Sequence, residues 1–376
     1  MHVLSINCGS SSLKYAVFEC RNGDEHVVER GSVDRIGQAG TDHSDAVHQA
    51  VDALESRGVT IDAVGHRVVH GGADRSAPAI VDSGLLLALD ALAPFAPLHL
   101  PAEIRVMRAL AERWPHRLQV ACFDTAFHRT LSEVASRYAL PEPLHASGVR
   151  RYGFHGLSYE YVVASLGAKA LGRAVLAHLG GGSSLAAVRD GHSVDTTMGF
   201  TPAGGLVMGT RPGDMDPSLV VYLLGRGYDA RSLGELLNTQ CGLQGLSGST
   251  SDVRELLARR KGDPRAKMAL DVYVFSARKW VGAMAAVLGG IDTLVFTGGI
   301  GEHAPSIRAE IACGLEHLGV HVDAARNDQN AAIISPDGTS CSVYVVRTDE
   351  ERMVARHTRA LVASAQAARG RATEFP

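Results

Sequence analysis

The 376-residue chain has no C-x-x-C pair, and its six cysteines, Cys8, Cys20, Cys122, Cys241, Cys313 and Cys341, are scattered. That spacing argues against a zinc cluster or a disulfide framework and reads as a reduced, cytosolic set. Cys8 sits beside a glycine-serine turn, where a small buried filler is the simpler reading than a nucleophile. Charge of one sign is also lacking. The formal net charge is -3, so nothing attracts the chain as a whole to nucleic acid or an anionic membrane. Charged residues make up 20% of the sequence and are well mixed, which argues against bulk disorder. No uninterrupted apolar run is long enough to span a bilayer; the best candidate, residues 85–98, is broken by Asp90, Pro94 and Pro97. The N-terminus shows no basic region followed by an apolar stretch, so no signal peptide is expected. These absences predict a soluble, cytoplasmic protein without nucleic-acid or membrane partners.

What is present is a repeated turn. Residues 3–17 read VLSINCGSSSLKYAV and residues 175–188 read VLAHLGGGSSLAAV. Each is a β-type run, then Gly and Ser, then a second β-type run, which predicts a hairpin. Small residues let backbone N–H groups approach an anion, and hydroxyls add donors. One such turn carries little information. Two copies half a chain apart predict a duplicated fold with two phosphate-gripping hairpins, two ordinary hairpins being the alternative. Length and 45% hydrophobic content suit about two domains, each with its own core.

Strand-like runs at 63–69, 118–123, 174–179, 293–297 and 343–346 alternate with helical patterns at 103–113, 217–224, 266–288, 306–318 and 350–365. That order predicts an α/β protein, and Gly-rich loops after several strands fall where open α/β sheets bind ligands. Residues 23–62 carry no assignable chemistry and suit a hairpin and a surface helix. The end from about Ala367 reads as frayed.

His66 and His70 are four apart, a metal spacing on a helix, but the run is strand-like, where such positions stand roughly 13 Å apart. Arg67, at a strand end before Gly71 and Gly72, is placed to clamp an anion with its planar fork; a surface ion pair is the alternative. Asp124 ends a β run, His155 lies between glycines in a loop, and Arg211 sits in MGTRPGD. Each alone suits a structural role. Together with two phosphate turns they form a set able to stabilise a transferring phosphoryl group. A third glycine cluster, residues 298–302, has the wrong spacing for G-x-G-x-x-G and suits a mononucleotide better than NAD.

These segments, with NCGSSSLK at 7–14, HRVVHGG at 66–72, RYGFHG at 151–156, HLGGGSS at 178–184, MGTRPGDMDP at 208–217 and TDEER at 348–352, resemble the acetate kinase family, within the sugar kinase–Hsp70–actin group. The resemblance implies two similar ribonuclease H-like domains around a nucleotide cleft. One would comprise residues 1–127 plus 352–376, and the other, for nucleotide binding and dimerisation, 128–351. It implies reversible, Mg2+-dependent transfer of the ATP γ-phosphoryl to acetate, giving acetyl phosphate and ADP. Mn2+ can substitute, and the protein would be a homodimer. It assigns Asn7 and Glu350 to the metal and Lys14 to the phosphates. Arg67 and Arg211 would hold carboxylate and phosphoryl oxygens, joined by His155 at the transition state, with Asp124 as the acidic active-site residue. His178, Leu179, Gly180, Gly181, Gly182, Asp252, Val253, Arg254, Gly299, Ile300, Gly301, Glu302 and His303 would line the nucleotide. Val69, Leu98, Phe154 and Pro202 would wall the methyl pocket, flanked by His99.

Three positions depart from the family, which usually has asparagine at Gly181, His303 and Asp349; the last adds a carboxylate near the metal. Acetate is ionised well above its own titration near roughly 4, so no general base is needed. Asp124 is therefore expected to orient a metal-bound water or an arginine. Hinges are expected at 125–130 and near Glu350. A propionate or butyrate kinase would use the same machinery with a roomier pocket. An Hsp70/actin-like binding protein would not need two pocket arginines and His155. A sugar kinase would need polar groups for hydroxyls where Val69, Leu98, Phe154 and Pro202 stand.

Overall fold

The computed structural model describes residues 1–9, 11–21, 23–37 and 41–373, with side chains through 368. Ser10 of the first turn, Asn22, residues 38–40 and the last three residues lie outside the described residues. The chain forms two compact units. One comprises Met1–Phe127, Gly156–Tyr161 and Asp349–Pro376; the other comprises His128–His155 and Val162–Thr348.

The first unit is built on six strands: β1 (His2–Cys8), β2 (Ser12–Arg21), β3 (Asp24–Asp34), β4 (Ala63–Val68), β5 (Ala79–Ile80) and β6 (Leu118–Phe123), in the order β3-β2-β1-β4-β6-β5. The first three form an antiparallel meander, and β4 and β6 add in parallel beside β1. Side chains alternate across a strand. Leu4 and Ile6 accordingly join a core with the helices His43–Ser56 and Leu100–Arg113, while Val3 packs with Ala355 of the helix Glu350–Thr373. Gly65 on β4 lets that last helix close in, since a Cβ there would stand 2.2 Å from Thr358 Oγ1.

The second unit carries β7 (Arg173–Leu179), β8 (Ser183–Arg189), β9 (His192–Thr196), β10 (Thr293–Thr297) and β11 (Ser342–Val345), in the order β11-β10-β7-β8-β9. Again three antiparallel strands are extended by two parallel ones beside the first. Five strands of the first sheet, β3-β2-β1-β4-β6, thus follow the same plan as β9-β8-β7-β10-β11. This is the duplication expected from the two glycine-serine turns, which join β1 to β2 and β7 to β8. The long helix Pro264–Leu288 packs on β7, β8 and β9 and forms the spine of this core.

Several expectations change. The helical pattern 306–318 is broken: a helix spans Pro305–Ala312, and a 3-10 turn follows at Glu316–Leu318. Gly314 between them has φ +92°, and its N–H donates to the Glu316 carboxylate at 2.8 Å. The segment 23–62 gives β3, paired to β2, and a helix that buries His43, Ala46, Val47, Ala50, Val51 and Leu54 rather than lying on the surface. The C-terminal helix continues through Thr373 instead of fraying from Ala367. β4 ends at Val68, so Val69, the last residue of the expected run 63–69, lies just past the strand.

Candidate active site

In the first unit, strand register aligns three polar residues. Asn7 on β1 pairs with Lys14 on β2 and with Arg67 on β4. Asp124 follows β6, and its N–H donates to Val68 O at 2.9 Å. The Arg67 guanidinium gathers the acids and the amide. Its Nη1 donates to Asn7 Oδ1 at 3.2 Å, its Nη2 donates to Asp124 Oδ2, and its Nε lies 3.5 Å from Glu350 Oε2. Asp124 is fully buried and Arg67 nearly so. Burial works against the charge on Arg67, but the Asp124 and Glu350 carboxylates outweigh it, so the guanidinium is held charged. Lys14 is exposed at the edge of this row.

The segment after Arg67 is pinned by side chains. Val69 N–H donates to both Glu103 carboxylate oxygens, at 3.1 and 3.3 Å, and Gly71 N–H donates to Thr125 Oγ1 at 3.2 Å. His66 and His70 are each engaged elsewhere. His66 Nε2 donates to Gln119 Oε1 at 2.7 Å, and the His70 ring meets Phe95 edge-on at 5.5 Å. Val69 is buried, Leu98 is exposed, and His99 starts the helix Leu100–Arg113. Cys8 is buried, and burial pushes its thiol up to about 12, which suits a filler and not a nucleophile.

The metal assignment can be tested on the donors. Asn7 Oδ1 and the Glu350 carboxylate are hard oxygen donors near one guanidinium, with no histidine or thiolate among them. Mg2+ is commonly held by one or two carboxylates, with waters and phosphate oxygens completing the shell, so this pair fits it. Among the described residues no cluster of three or more His, Cys, Asp or Glu forms a ready-made cage. Asp349 does not extend the pair: its Oδ2 lies 3.3 Å from Arg30 Nη2 and 3.2 Å from Arg352 Nε.

The second unit holds the other half of the set. His155 has φ +61°, a left-handed conformation costly outside glycine. It caps the helix Gly156–Leu166, stacks on His178 with ring centroids 4.1 Å apart, and sets Nδ1 2.8 Å from Ser184 Oγ. The loop is locked from behind by His128, whose Nε2 donates to Phe154 O at 3.0 Å and whose Nδ1 lies 2.8 Å from Ser193 Oγ. Burial pushes His128 down to about 4, so its ring is neutral. Arg211 Nη1 donates to Pro202 O at 3.1 Å. Its loop is tied down by Gly209 N–H to Gly181 O at 3.1 Å and Leu243 N–H to Met208 O at 2.9 Å. His155 and Arg211 converge on the β7–β8 turn: a Cβ at Gly182 would stand 3.2 Å from His155 Nε2 and 3.7 Å from Arg211 Nη1.

Beside that turn opens a cavity of about 460 Å³. Of the residues expected around a nucleotide, Gly180, Gly181, Asp252, Val253, Arg254, Gly299, Ile300 and His303 line it. Leu179 does not, being core, and Glu302 is spent on Gly298 N–H at 3.0 Å and Thr348 N–H at 3.1 Å. His178 lies under His155, and Gly301 is buried with its carbonyl accepting from Arg308. Asp252 is held near 2 by its hydrogen bonds to Arg254. Ser251, Leu257 and Ala304 join the lining without having been expected; each is adjacent to an expected residue or one helical turn beyond it. Of the expected methyl-pocket residues, Val69 and Leu98 belong to the first unit, and Phe154 and Pro202 to the second.

The model of the acetokinase family matches residues 2–356. The chain belongs to the acetokinase family. It is 45% identical to an acetate kinase of Pseudarthrobacter chlorophenolicus over 97% of this chain and 100% of that protein. The acetate kinase structure from Porphyromonas gingivalis superposes with TM-score 0.87 at 36% identity, covering 96% of this chain and 99% of that one. A propionate kinase from Francisella tularensis superposes with TM-score 0.86 at 35% identity, covering 95% and 99%. The family accounts for the two related sheets and for the α/β class read from the sequence. Among the described residues no helix is long and apolar enough to cross a membrane.

Proposed function

We propose that the protein catalyses the reversible reaction of ATP with acetate to give acetyl phosphate and ADP. The observation that carries this is the convergence of Asn7, Asp124 and Glu350 on the Arg67 guanidinium. An acceptor carboxylate needs such a cation to approach a polyanionic nucleotide. A carboxylate oxygen of acetate attacks the γ-phosphorus, and the bond to the β–γ bridging oxygen breaks, leaving ADP. Acetate arrives ionised, so no proton has to be removed. Asp124 then serves by holding Arg67 charged and oriented. His155 and Arg211 donate to the equatorial oxygens, where charge is spread in the transition state. The neutral His128 keeps His155 in its strained loop. The nucleotide occupies the cavity between the β7–β8 turn and the helix Gly298–His303. Asn7 and Glu350 would hold Mg2+, which would supply charge neutralisation on the transferring phosphate. The remaining assignments, a homodimer and a cytoplasmic location, are carried by the family alone.

The propionate kinase relative makes acceptor length the live alternative. Purified protein with ATP, Mg2+ and hydroxylamine is expected to yield acethydroxamate from acetate faster than the propionate product from propionate. No hydroxamate from either acid refutes the activity. A clear preference for propionate or butyrate reassigns the acceptor.

A further inference from the structure

Glu103 is a buried acid with no part in the transfer described above. It sits in the first turn of the helix Leu100–Arg113, 1% exposed, and turns its carboxyl toward the end of β4. There both oxygens meet the Val69 N–H, a backbone donor that a side chain, not a neighbouring strand, satisfies. Val69 lies two residues from Arg67. We propose that Glu103 is a positioning residue for the acceptor subsite, fixing the strand end that carries Arg67 and setting the charge beside it. This rests on reading Arg67 as the partner of the acceptor carboxylate.

The electrostatics give the proposal a signature. Burial pushes Glu103 up to about 8, opposed by Arg67 and by the Val69 N–H and reinforced by Asp124. Near neutrality Glu103 is mostly protonated and leaves the field of Arg67 to the acceptor. Above pH 8 it becomes an anion beside the same guanidinium and competes with the acceptor's charge. Charged and titratable groups face it from several elements. From β4 comes Arg67, which stays charged, and from the end of β1 comes Cys8, whose thiol stays neutral to about 12. Asp124 follows β6 and is bound to Arg67. The neighbouring helices meet this one through exposed pairs, Arg113 with Asp52 and Glu55, and Arg108 with Asp90.

The test is the acetate KM of the full-length enzyme from pH 7 to 9.5, with the ATP KM measured alongside. In the wild type the acetate KM is expected to rise about three- to tenfold while the ATP KM stays flat. In Glu103→Gln the amide oxygen still accepts from Val69 N–H but no charge can form, so the acetate KM stays level. A flat wild-type profile overturns the proposal without needing any variant. A Glu103→Gln profile that rises in parallel with the wild type assigns the effect to another group and overturns it equally. Wild-type protein with no acetate-dependent ADP formation is a different failure, because it removes the underlying reading of Arg67 as well.

Discussion

Arg67 and Arg211 are both arginines beside a glycine-serine turn, yet they are held differently. Arg67 is enclosed by carboxylates, whereas Arg211 has one nitrogen committed to the Pro202 carbonyl and its loop fixed by backbone bonds. A donor fixed in this way acts most where charge develops. Arg211→Ala is expected to lower kcat by on the order of 10² or more, read from steady-state rates. Near-wild-type turnover would remove it from the mechanism. Val69 has a buried, β-branched side chain and an amide held by Glu103, which makes it a stiff wall. One methylene is worth roughly 1–3 kcal/mol of discrimination, so propionate should be a poor substrate but not an inert one. Val69→Ala is expected to raise kcat/KM for propionate relative to acetate. An unmoved ratio would place the wall elsewhere.

At the scale of elements, the helix Gly156–Leu166 begins against Asp124. Gly156 N–H donates to Asp124 O at 2.9 Å, and a Cβ on Gly156 would stand 2.2 Å from that same oxygen. A backbone oxygen cannot swing aside as a side chain can. Gly156→Ala should therefore displace Asp124, lowering kcat/KM more than tenfold and the melting temperature by several degrees, measured on one preparation. Activity equal to wild type would show that Asp124 tolerates the shift. Elements were legible in the sequence where an apolar run had sharp polar or glycine borders: 118–123 and 293–297 appear as read. The pattern at 306–318 misled because its apolar spacing runs through Gly314, where the backbone turns. Arg67, Asp124, His155 and Arg211 were legible because polar groups stood at the ends of apolar runs or between glycines. Glu103 was not, since its spacing is that of an ordinary helix and its partner Val69 lies on another element. Glu302 likewise reads as a loop residue until its carboxylate is seen holding two amides.

For the whole molecule, buried titratable groups set the pH range of stability. Burial holds His66 and His128 down to about 4, against 6.5 when unfolded. The unfolded chain takes up their protons first, so stability is intact above pH 6.5 and is lost as pH falls toward 4, by on the order of 3 kcal/mol each. Glu103 acts the other way. The folded protein keeps its proton up to about 8, whereas the unfolded chain releases it at 4.5, so stability declines as pH rises across that interval. The melting temperature is expected to peak near pH 6.5, and Glu103→Gln should flatten the alkaline side; a peak above pH 8 would contradict the sign for Glu103, and a peak near pH 4 the sign for the histidines. The helix Glu350–Thr373 carries a consequence of another kind. It covers β1, β2, β4 and β6, yet it follows the whole of the second unit in the chain. While the chain is being made, Val3, Phe18, Ala63 and Val120 wait without their cover until the second unit has been synthesised. A chain stopped at Thr348 would therefore lack the cover of its first unit, leaving a nascent product suited to chaperones and proteases.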